Sequence, residues 1–98
     1  MRKFLLLLPL VALNAFHHSA QAKELGREKA RDVVAHLKNA QKFQQMGQTG
    51  LACEEGHLAN TIMSIWFNEI KEVADDPFEW RIRVQALANE CFTKGHMP

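Results

Sequence analysis

The 98-residue chain contains no Cys-x-x-Cys pair, no Ser-His-Asp set, no phosphate-cradling glycine loop and no paired carboxylates on opposed elements. Thiol redox catalysis, nucleophilic hydrolysis and nucleotide binding therefore have no sequence support, and no enzyme, cofactor or metal is expected. Strand-like alternation and internal repeats are also missing, which leaves an all-α fold. The longest apolar run, Phe4 to about Phe16, covers only about 13 residues, well short of the ~20 that span a bilayer. Nor is there an excess of Lys and Arg of the kind that drives nucleic-acid binding.

What the N-terminus does contain is Arg2 and Lys3 ahead of that apolar run, with Ala20-Gln21-Ala22 behind it. A charged start, a short greasy core and a small-x-small end are the layout of a secretory signal peptide. Residues 1–22 are expected to be removed after Sec-type export to the periplasm, leaving residues 23–98 as a single domain with no membrane insertion. That mature chain is nearly neutral, with 10 basic against 11 acidic side chains, but the charge is unevenly spread. Residues 23–46 hold six basic and three acidic residues, and residues 47–98 hold four basic and eight acidic ones. The halves are complementary, which favours helix 1 docking on the rest of its own chain or on a second copy.

Three helices are expected, over about 24–46, 57–74 and 77–94, forming a small bundle. Between Lys23 and Met46 there is no proline, and Gly26, Ala30, Val33, Val34, Leu37 and Ala40 fall on one thin face. Phe43 lies off this stripe, either capping the core or forming part of a contact surface. Gly47 suits the left-handed residue that ends a helix, and Thr49 is a candidate cap for the next. In helix 2, Leu58, Ile62, Ile65, Trp66, Ile70 and Val73 recur at three- and four-residue steps, widened by Ala59, Met63 and Phe67. A helix apolar over half its circumference needs neighbours on two sides, so helix 2 is the expected centre. Asp76 and Pro77 are an N-cap and a first helical residue. Helix 3 then carries one stripe of Trp80, Val84, Leu87 and Cys91 and a second, nearly opposite, of Phe78, Ile82, Ala86 and Phe92. One stripe packs on helix 2; the other needs helix 1 or another molecule.

Two cysteines in a small exported chain are expected to pair, so Cys53 and Cys91 are the candidate disulfide. If helix 2 ran unbroken to the Asp75-Asp76 turn, Cys53 would lie ~33 Å from that turn and Cys91 only ~21 Å. Either the chain bends near Gly56, or the bond joins two molecules. Cys53, His57, Cys91 and His96 have spacings from which a zinc site can be drawn, but the export signal favours the disulfide. Asp32 with His36, and Glu54-Glu55 with His57, are acid-base pairs on paper that read more simply as solvated helix faces.

A signal peptide, some 76 helical residues and two cysteines together resemble small periplasmic proteins of conjugative-plasmid transfer regions, in particular the Kik-type proteins linked to killing of recipient bacteria. The resemblance is carried by the layout of Met1–Ala22, Cys53 and Cys91. It contains no motif, so it transfers no functional residue. It implies an accessory or host-killing role in conjugation. Residues alone point to a non-enzymatic interaction module, a homodimer that uses Phe78, Ile82 and Phe92 with help from helix 1 and Phe43. The chain is also similar in outline to acid-activated periplasmic chaperone dimers with one disulfide, with eight acids in its second half and His36, His57 and His96 as a possible trigger. It lacks that family's lysine-rich tails. An immunity protein or inhibitor of a periplasmic enzyme is the third class.

Overall fold

In the computed structural model the described residues are 2–95, with side chains from residue 20 onward. The side chains behind the signal-peptide reading of residues 1–22, His96 of the zinc alternative and the tail 96–98 thus lie wholly or largely outside the described residues. Three helices form: α1 (Arg2–Gln45), α2 (Thr49–Lys71) and α3 (Pro77–Thr93). Among the described residues there is no strand, and no helix is long and apolar enough to cross a membrane.

The turns follow from their residues. Gly47 adopts φ 72°, and the N–H groups of Gly47 and Gln48 donate to the carbonyls of Gln44 and Phe43 at 3.1 and 2.8 Å. This pair of bonds closes α1 on a glycine that tolerates the left-handed conformation. Gln48, not Thr49, occupies the N-cap of α2, and it makes no side-chain cap bond; Thr49 is already the first helical residue. At α3, Asp76 caps as expected, its Oδ1 accepting from the Glu79 N–H at 3.2 Å, with Pro77 at the first position. Replacing Asp76 by Ala is expected to cost about 1 kcal/mol, which thermal unfolding would register as a fall of roughly 4–8 °C in Tm.

α2 is the central helix: it packs along α1 on one side and against α3 on the other, and its interface with α1 is the larger. The core joins Ala30 and Val33 of α1, Ala59, Met63 and Ile70 of α2 and Val84 of α3, with Leu37, Ile62, Trp66, Phe67 and Trp80 packed around it. Lys29 reaches across from α1 to sit 5.2 Å from the Trp66 ring centroid. The expected stripe of α2 needs correcting, because Leu58 and Ile65 are 48 % and 64 % exposed. The inward line instead runs through Ala52, Gly56, Ala59, Met63 and Ile70. Small residues face inward because close helix approach buries more backbone and neighbouring side chain than a Leu at the same place would allow.

The expected bend near Gly56 is absent. α2 is helical from Thr49 through Cys53 and Gly56, and its only non-helical residue is Trp66, at φ −111° and ψ 17°. No proline or glycine lies at that kink. Cys53 and Cys91 nonetheless form an intrachain disulfide, with Cα atoms 5.7 Å apart. The length mismatch is smaller than the sequence implies because α2 ends at Lys71, not at the aspartates. Cys53 is then ~27 Å from the end of α2 and Cys91 ~21 Å from the start of α3, and the connection 72–76 absorbs a difference of about one turn. Gly56 contributes in another way. A Cβ there would stand 2.7 Å from Leu87 Cδ2, so its missing side chain lets α3 approach one turn away from the bond.

Candidate functional site

The outward side of α3 is the most unusual surface of the molecule. Trp80, Val84, Leu87 and Cys91 turn inward, with Val84 and Cys91 fully buried. One hundred degrees per residue then directs Phe78, Ile82 and Phe92 away from α2, and they are 61 %, 66 % and 62 % exposed. Ala86 is exposed beside them. Gln85 and Asn89, also exposed, are the polar members of the same row. At its N-terminal end the row is buttressed: Phe78 meets Phe67 of α2 edge-on at 5.4 Å between centroids, and the Arg81 guanidinium lies 4.9 Å from the Phe67 centroid. These contacts fix the direction of Phe78 without covering it.

Beside the row runs a charged flank of the same helix. Arg83 donates to Glu79 and Lys94 to Glu90, each at 2.8 Å and each one turn apart, with all four side chains half exposed or more. Phe43, the fourth expected contact residue, lies apart from α3's row: it is half-buried at the end of α1, where its carbonyl accepts from the turn.

A polar contact also joins α1 to α2. His36 of α1 pairs through Nδ1 with Glu55 Oε2 of α2. His36 and Glu55 were assigned on sequence to separate pairs, with Asp32 and with His57. The antiparallel register of α1 on α2 brings them together instead, and both are largely buried. The pair ties two helices, and no nucleophile accompanies it. His57 itself has an interaction partner, and its carbonyl accepts from the Thr61 hydroxyl at 2.9 Å.

No protein-family model, curated protein or solved structure matches this chain. The reading of the surface therefore rests on its own chemistry. The disulfide occupies both thiols of the zinc alternative, and among the described residues no three His, Cys, Asp or Glu side chains converge as a metal ion requires. Its sulfurs are enclosed, Cys53 being 3 % and Cys91 1 % exposed, which suits a structural clamp and not an exchanging thiol. Three of the concavities are open grooves between helices, lined by mixed polar and apolar side chains.

Proposed function

We propose that this chain is an exported, non-enzymatic protein-interaction module that associates as a homodimer, with the outward row of α3 as its contact surface. The observation that carries the reading is the exposure of Phe78, Ile82 and Phe92 on one side of a helix whose other side is clamped by a disulfide. Large aromatic and branched side chains held outward by a rigid scaffold lose little entropy on association and gain the area they bury. Export is supported by the charged start, apolar run and Ala20-Gln21-Ala22 of the sequence, and by an intrachain disulfide, which persists in oxidising compartments. Gly26, Ala30 and Val33, the α1 residues shown against the rest of the bundle, all lie past the expected cleavage point after Ala22, so removal of residues 1–22 would leave every interhelical contact described above in place. A role as an accessory protein of conjugative transfer is the narrower form of the proposal.

Sedimentation velocity of the oxidised protein at micromolar concentration tests it. A species of about twice the protomer mass is expected, and Ile82→Glu should weaken association by roughly 30-fold or more, the loss of one hot-spot side chain of ~2 kcal/mol. Because Ile82 is two-thirds exposed in the protomer, the substitution should leave helicity unchanged, while Tm falls only by what the lost association contributed. A wild-type protein that sediments as a monomer throughout that range contradicts the reading.

A further inference from the structure

We propose that the groove between α1 and α3 binds a short acyl chain ending in a carboxylate, with Arg31 and Lys38 holding the anionic head and Val34 and Trp80 the chain. The site is independent of the dimeric reading. Trp80 belongs to the inward stripe of α3, so the groove is separate from the outward row of Phe78, Ile82 and Phe92.

The groove exists because α2 holds the other two helices: α1 and α3 each pack on α2, and little joins them to each other. The concavity left between them has a volume of about 390 Å³ and is lined by Ala30, Arg31, Val34, Ala35 and Lys38 of α1 and Trp80 of α3. Its floor is apolar, with Ala30 buried and Val34 and Trp80 half-buried. That floor follows α1 for only about 12 Å, because Gln41 and Gln44 continue the same face in polar form. A docking helix of another protein needs apolar anchors over a longer row, whereas a short acyl chain fits two turns.

The charge at the rim is unmatched. Arg31 and Lys38 are both exposed, and neither enters an ion pair among the described residues, not even with Glu28 one turn before Arg31. No acidic residue occurs from Val33 to Cys53, and on α3 Glu79 and Glu90 are already engaged by Arg83 and Lys94. Val34 lies three residues after Arg31 and four before Lys38, on the same helical face, so both long side chains can turn their charges over it. A carboxylate placed there meets two cations at the edge of an apolar floor. An uncharged alcohol gains only the floor, and an inorganic anion only the cations. A carboxylate with an acyl tail uses both.

Calorimetric titration of the oxidised protein with octanoate and decanoate, kept below their micelle concentrations, tests the site together with NMR of the Trp80 indole N–H. Saturable one-to-one binding that shifts the Trp80 resonance is expected, tightening roughly two- to fourfold per added methylene. R31Q/K38Q removes both charges at exposed positions, so the fold should be unaffected while octanoate binds about tenfold more weakly. R31E/K38E should lose octanoate and gain octylammonium, an exchange that a purely structural role for these side chains does not produce. Absence of saturable binding, equal binding of octanol, or an affinity unchanged in R31Q/K38Q overturns the inference. So does binding to phosphatidylglycerol vesicles without binding of the free anion, which would make α1 a membrane-contact helix.

Discussion

Opening the Cys53–Cys91 bond is expected to remove about 4 kcal/mol of stability, the largest single loss available in this chain. The bond joins residues 38 apart in sequence, and the chain-entropy model assigns roughly that figure to a loop of such length. Two features of the fold make the loss severe. α3 touches the rest mainly through α2, so little else restrains its C-terminal half. The packing it would have to rely on is a short stripe in which Val84 is the only fully buried residue besides the cysteine. Since domains of this size have only several kcal/mol in hand, C53S/C91S should lower Tm by tens of degrees, with α3 losing order first. Urea unfolding with and without reductant, followed by circular dichroism, measures the difference directly. Coincident transitions would show that packing alone holds α3 in place.

The second large effect is expected from Gly26→Ala, at a loss of about 2 kcal/mol. A Cβ on Gly26 would stand 2.9 Å from the carbonyl carbon of Glu69, nearer still to its oxygen, and 3.4 Å from Val73 Cγ2. The obstructing atoms are backbone, so no rotamer change relieves them, and α1 must move away from α2. Overpacking of this kind costs roughly 1–3 kcal/mol, and here the upper end is reduced by the ~1 kcal/mol that Ala gains over Gly in a helix interior. Gly50→Ala is the matched control, since nothing lies within 4 Å of its Cβ position, and it should be neutral or slightly stabilising. The contrast also reports on how firmly α1 is held on α2 near Gly26. If α1 frayed around Gly26, the clash would relax and both substitutions would look alike.

Much of the fold was legible because it is written in short-range chemistry. Asp76-Pro77 announces a helix start through a cap and a missing N–H, and Gly47 announces a helix end through a conformation other residues avoid. The two stripes of α3 could be separated by their 100° steps, so the outward set of Phe78, Ile82 and Phe92 followed from periodicity alone. What was not legible depends on how helices meet. Ala59, Met63 and Ile70 of the inner line belong to the expected apolar sector, but so do Leu58 and Ile65, and that sector is too wide for one orientation to be read from it, while Ala52 and Gly56 carry too little hydrophobic signal to mark the line. The unequal helix lengths around the two cysteines leave a bend near Gly56 or an intermolecular bond as the alternatives, whereas the glycine's use here is steric, a gap for Leu87. The pairing of His36 with Glu55 needed the register of α1 on α2, which no spacing within either helix encodes. The kink at Trp66 has no local sequence cause.

Peptide mapping without reduction tests the disulfide-clamped scaffold most directly. Trypsin cutting after Lys42, Lys71, Arg83 and Lys94 releases Cys53 in peptide 43–71 and Cys91 in peptide 84–94. The account predicts that these two peptides run as one covalently joined species, obtained from protein that migrates at protomer mass when denatured without reductant. Free thiols in both peptides, or a link found only in protein of doubled mass, would contradict it.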